Sequence, residues 1–184
     1  AVYGVTGGSR TLSEAADIAF VVKQAVASGQ ALRLLVLGRG SREAEPALQS
    51  ELAGAKVEIE TLGLVSSEEV PRALARSDVL LFVRGHISSR RGSAIAGIAS
   101  GLPVVCYSGP DTDWPVTEAG ILAVPQGDRQ ALAGALENVL SDAALRKSLS
   151  DRSRQAHEKY FSWTAITAKF AAEIGRGTDC VSAA

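Results

Sequence analysis

Methionine is missing altogether from the 184 residues. With no initiator, and with Ala1-Val2-Tyr3-Gly4-Val5 already reading as a strand, the expectation is a chain processed or cut from something longer. Cysteine is scarce: Cys106 and Cys180 stand far apart, and Cys106 lies in the apolar run Pro103-Val104-Val105-Cys106-Tyr107. Such a pair suits neither a disulfide framework nor a zinc site, so a reducing, cytoplasmic location is expected. No apolar run approaches the ~18 residues of a membrane span. The opening also lacks the basic start and apolar stretch of a secretory signal. Net charge is only −1, which argues against a dedicated nucleic-acid binder. There is no Gly-x-Ser-x-Gly and no serine–histidine–acid order, so a hydrolase is not indicated. No metal-ligand spacing is present, and no metal is expected.

What the sequence does have is alternation. Short apolar runs at 2–5, 32–37, 57–62, 79–83, 104–107 and 121–124 predict strands. Between them lie segments with helical period, at 11–28, 42–52, 66–75 and 92–100. Thr11-Leu12-Ser13-Glu14 and Ser66-Ser67-Glu68-Glu69 have capping-box spacing. Asp128 should cap a helix to about residue 140, with further helices over 142–160 and 164–174. Strand–helix alternation predicts an α/β fold: a Rossmann-like parallel sheet of about six strands with helices on both faces. The continuous apolar runs of the second and fourth strands agree, since such strands are covered on both sides. One domain over 1–174 and a frayed tail over 175–184 are expected.

In such a sheet ligands bind beyond the carboxyl ends of the strands. The loops there are rich in glycine, serine and arginine: Thr6-Gly7-Gly8-Ser9-Arg10, Gly38-Arg39-Gly40-Ser41, and Arg84-Gly85-His86-Ile87-Ser88-Ser89-Arg90-Arg91-Gly92-Ser93. No acid occurs from Ala1 to Ser13 or from Val79 to Pro110. The near-neutral total therefore hides a positive edge. Free helix-start amides and forked guanidinium donors suit phosphate oxygens. Arg90-Arg91 at a helix start oppose the helix dipole, a placement that an anion would offset. Competing readings stay open for several of these residues. Gly38 and Gly40 also fit plain tight turns, because the third glycine of a dinucleotide fingerprint is absent. His86 also fits an ordinary loop histidine. Gly97 fits close helix-to-sheet packing. Asp111, Asp113 and Glu118 fit turn and cap roles as well as hydroxyl or metal contacts.

From Leu32 onward the chain resembles the C-terminal, donor-binding half of GT-B glycosyltransferases, the group 1 (family four) class in particular. The resemblance rests on Val36-Leu37-Gly38-Arg39-Gly40, Thr61-Leu62-Gly63-Leu64-Val65, Ala99-Ser100-Gly101-Leu102-Pro103-Val104-Val105, Gly120-Ile121-Leu122-Ala123-Val124-Pro125 and Phe161-Ser162-Trp163, in that order. It implies transfer of a hexosyl group from a nucleotide-diphospho-sugar, with no further cofactor, to an acceptor held by an N-terminal domain. Donor phosphate would then meet Gly8, Arg10, Arg90, Arg91 and the helix start at Gly92, Ser93 and Ala94. The base would lie near Gly38, Arg39, Gly63, Leu64 and Val65. The family's two glutamates, which hold ribose and sugar, fall on Ser88 and Ala96, neither a carboxylate. Catalytic residues are therefore unassigned, with His86 and Ser88 as weak candidates. A non-catalytic nucleotide- or anion-binding module and an epimerase-like enzyme remain as alternatives.

Overall fold

The computed structural model describes the backbone of residues 1–179 and side chains through residue 174. Of the tail expected at 175–184, residues 175–179 continue α7 and residues 180–184 lie outside the described residues. Among the described residues six strands appear: β1 Val2–Tyr3, β2 Leu32–Leu37, β3 Val57–Gly63, β4 Leu80–His86, β5 Val104–Ser108 and β6 Ile121–Pro125. The helices are α1 Thr11–Ala27, α2 Ser41–Glu51, α3 Glu69–Leu74, α4 Gly92–Ala99, α5 Arg129–Ser141, α6 Ala143–Ala156 and α7 Trp163–Asp179.

The strands form two parallel three-stranded sheets, β1-β2-β3 and β4-β5-β6. They meet at Ala1, whose amine donates to Val79 O (2.7 Å) and whose carbonyl accepts from Leu81 N (2.8 Å). That pair of bonds sets β1 beside β4, so the strands run 3-2-1-4-5-6 across the molecule. The direction of winding reverses between β1 and β4. In open α/β sheets that reversal is where the crevice for a ligand opens.

Side-chain alternation explains the two cores. Leu34, Val36, Leu81 and Val83 pack on one face with Ile18 and Val22 of α1 and Leu136 of α5. Their neighbours Leu35, Leu37, Leu80 and Phe82 pack on the other face with Ile98 of α4 and Leu74 of α3. Both sets are buried, which is why these runs carry no polar alternation. On α4, a Cβ at Gly97 would stand 2.4 Å from Leu80 Cδ2, so the glycine serves close helix-to-strand contact. Asp17 of α1 ties the first core together by accepting from Tyr107 Oη (3.3 Å) and from Arg129 Nε. Burial, and then the nearby Asp17 charge, raise the Tyr107 pKa. Burial alone pushes the Cys106 thiol up to about 12, leaving it unreactive on β5.

Three expectations need correction. The basic segment Arg84-Gly85-His86 belongs to β4 and not to the following loop, and the β4–β5 register shifts between Phe82 and His86. The capping box at Thr11 does not form. A 3₁₀ turn over Gly8–Arg10 runs straight into α1, so Thr11 is already helical and bonds back to Thr6 O (3.0 Å). The helix expected over 142–160 is α6 followed by one π-turn, His157–Phe161. The Asp128 cap forms, with Asp128 Oδ1 accepting from Ala131 N (2.9 Å), and half of the box at Ser66 does: Glu69 Oε2 accepts from Ser66 N (2.9 Å), but no side chain caps the start of α3. α7 leaves Trp163, Ile166, Phe170 and Ile174 exposed. Among the described residues no helix is long and apolar enough to cross a membrane.

Candidate functional site

The carboxyl ends of β1, β2 and β4 gather the Gly-rich loops on one edge. The loop after β1 is not open there. Thr6 N donates to Glu14 Oε2 (2.6 Å), and Gly8 N to Glu43 Oε1 (2.8 Å). The Thr11 hydroxyl also lies 3.1 Å from Glu43 Oε1. Two carboxylates thus take the loop amides that an incoming phosphate would use. Glu14 is itself buried, so Glu14→Ala strands the Thr6 N–H. A loss of about 2 kcal/mol is expected, read from the urea midpoint. Arg10 ends the 3₁₀ turn exposed and makes no ion pair among the described residues.

The loop after β2 is a tight structural turn. Gly38 N donates to Gly63 O (2.7 Å), Val5 N to Arg39 O (3.0 Å), and the buried Ser41 hydroxyl to Gly38 O (2.8 Å). The Arg39 side chain is exposed. After β3, Gly63 is covered by Arg42, whose Nε would stand 2.6 Å from an added Cβ. Leu64 next to it is 77% exposed, and Val65 packs partly into the second core.

Beyond β4 the residues divide. Arg90 Nη2 donates to Asp111 Oδ2, and His86 Nε2 lies 3.4 Å from the same oxygen. The hydrogen bond with His86, and then the Arg90 charge, hold the Asp111 carboxyl below its usual range. This knot joins the loops after β4 and β5, and it engages Arg90, which the sequence places among the phosphate ligands. The Thr112 hydroxyl adds a bond to Ile87 O (2.7 Å). Ser88 is buried and its carbonyl accepts from Arg91 N (3.0 Å). Gly92, Ser93 and Ala94 form the first turn of α4, which no side chain caps. Ala96 is one turn on, lining a groove with Tyr3, Val70 and Pro71.

Arg84 carries no assigned role in the sequence reading beyond a basic loop. It sits inside β4, half-buried, with its Nε fully buried and without a hydrogen-bond partner. Its Nη1 would stand 2.9 Å from a Cβ on Gly4, so the guanidinium lies against the end of β1. Arg91 reaches back toward β4, with Nη2 3.7 Å from the Cβ position of Gly85. A separate cavity of about 380 Å³ opens at the opposite end of the sheet near Ala1 and Asp78. Two of its arginines are engaged: Arg76 pairs with Glu60 (2.8 Å), and Arg146 donates to the carbonyls of Val139 and Leu140 (2.8 and 3.0 Å), while Arg33 is exposed. Among the described residues no three His, Cys, Asp or Glu side chains gather as metal ligands.

A family model described as glycosyl transferases group 1 matches residues 9–142. Solved structures share the fold. TarM from S. aureus, in complex with fondaparinux, alpha-GlcNAc-glycerol and UDP, is 14% identical with a TM-score of 0.69, over 93% of this chain and 34% of that one. Sucrose-phosphate synthase from Thermosynechococcus elongatus is 21% identical (TM-score 0.68; 97% and 45%). Anabaena HepE in complex with UDP and glucose is 14% identical (TM-score 0.68; 95% and 48%). The chain thus spans about a third to a half of the structures that it resembles. No curated protein matches it in sequence.

Proposed function

The chain belongs to the group 1 glycosyltransferases, and from that premise we propose that it is the domain that binds the nucleotide-sugar donor. Its acceptor is held by a separate N-terminal domain, and the chain alone does not transfer sugar. The observation that carries this reading is the uncapped start of α4 opening from β4, in a segment that carries no acid from Val79 to Pro110. Helix-start amides and adjacent arginines would stabilise a diphosphate as negative charge develops on it during transfer. The exposed Arg10 shares this edge and adds a cation. Leu64, exposed beside the covered Gly63, offers an apolar surface to a base.

The test is titration with UDP, GDP and ADP and their hexose conjugates, followed by a transfer assay on the longer protein. One nucleoside diphosphate is expected to bind within the range of about 1 μM to 1 mM usual for enzyme substrates. No binding by any of the three would sink the reading. Ser88 and Ala96 favour a second reading, binding without transfer, because neither position offers a carboxylate. Turnover by the longer protein would exclude it.

A further inference from the structure

We infer that Arg84, supported by Arg91, is the seat of the diphosphate of a nucleoside diphosphate, at the joint between β1 and β4. The inference rests on the donor-domain reading and gives it a residue that the sequence pattern did not supply.

Three observations lead there. First, the loop after β1 is closed by the chain's own acids, with Thr6 N on Glu14 and Gly8 N on Glu43. A ligand anion would have to displace a carboxylate at Gly8. Second, Arg90 is held by Asp111. Of the two arginines before α4, only Arg91 has no ion pair among the described residues. Third, among the described residues Arg84 is a half-buried cation with no ion pair, and its buried Nε–H has no acceptor. Withdrawing a guanidinium from water without a counter-charge lowers stability, and an unmade hydrogen bond adds to that cost. An anion bound there would offset both.

Placement agrees with chemistry. Arg84 lies against Gly4 at the end of β1, where the winding of the sheet reverses. Gly4 has φ +81, and an added Cβ would press on Nη1 at 2.9 Å, so the glycine leaves the guanidinium its place. Arg91 is the N-terminal flanking residue of α4. Two guanidinium groups, Arg84 against Gly4 and Arg91 near Gly85 beside a helix start, suit two adjacent phosphoryl groups better than one would.

The 184-residue chain is titrated calorimetrically with inorganic pyrophosphate and with UDP, GDP and ADP in turn. Pyrophosphate and one nucleoside diphosphate are expected to bind, more weakly as salt rises. Arg84→Gln should weaken both by about tenfold or more, as loss of a charge-assisted contact does. Arg84→Lys should fall between, keeping the charge and losing the fork. Arg33→Gln, the same charge change at the start of β2, should leave binding unchanged. Without ligand, Arg84→Gln should melt no lower than the parent, which a purely structural arginine would not allow. Parental affinity in Arg84→Gln overturns the seat, as does failure of the parent to bind any of these anions. Should Arg84→Gln not fold, Arg84→Lys decides on the same readout. A parent that binds pyrophosphate but no nucleoside diphosphate, with loss in the variant, keeps the anion seat and overturns the donor-domain reading.

Discussion

Gly40→Ala is expected to destabilise the protein by about 3 kcal/mol, from left-handed strain and overpacking together. Gly40 has φ +76, and its added Cβ would lie 2.1 Å from Val5 O and 2.9 Å from Val5 C. Both clashing atoms are backbone. Neither can swing aside, because Val5 N is bonded to Arg39 O (3.0 Å) and Gly40 O receives Ala44 N (3.0 Å). Relief would have to break the register between the end of β1 and the start of α2. Gly8→Ala is the matched control. Its φ is +72, but nothing lies within 4 Å of the added methyl, so only the left-handed strain of about 1–2 kcal/mol applies. Urea midpoints for the two variants measure the difference. Equal losses would show that space at Gly40 is unimportant. The outcome also bears on function. If Gly38-Arg39-Gly40 were a phosphate loop, Gly40→Ala would cost binding more than stability. The bonds from Gly38 N to Gly63 O and from Val5 N to Arg39 O mark it as the turn that aligns three strand ends.

Local pattern explains what was legible in the sequence. Leu34-Leu35-Val36-Leu37 and Leu80-Leu81-Phe82-Val83 are apolar at every position because each strand is buried on both faces. Asp128 and the Ser66–Glu69 pair were readable because a cap acts within three residues. The same local logic failed at Thr11, where the partners are not local. Glu14 reaches back to Thr6, and Glu43 reaches Gly8 across 35 positions. A run of glycines suggests open amides, but nothing local says that a carboxylate from α2 will occupy one of them. The partner of Arg90 was hidden for the same reason, since Asp111 is 21 positions away and on a different loop. Arg84 stayed hidden because the β4–β5 register shift lets the strand run on past its apolar core. That extension turns a residue expected in a solvated loop into one half-buried against Gly4. The signal available beforehand was the absence of acids from Val79 to Pro110, which leaves Arg84 without a nearby counter-ion in its own segment.

In a polypeptide whose first residue is Ala1, stability should climb between pH 5 and pH 8. The Ala1 amine is the group that joins β1 to β4. It gives its hydrogen to Val79 O, and its removal from water lowers its pKa from 8.0 to about 5, with the weaker attraction of Asp78 opposing. Between those values the unfolded chain binds the proton and the folded chain does not. Folding therefore releases a proton, and stability rises with pH across the interval. Above pH 8 the penalty is gone, and below pH 5 it is fully felt. Three pH units correspond to about 4 kcal/mol, which is a ceiling because Ala1 as a residue keeps some exposure. Nα-acetylation replaces the amine with an amide that still donates to Val79 but has no charge to bury. The acetylated chain should lose this slope, and a slope that survived acetylation would assign the titration to another group.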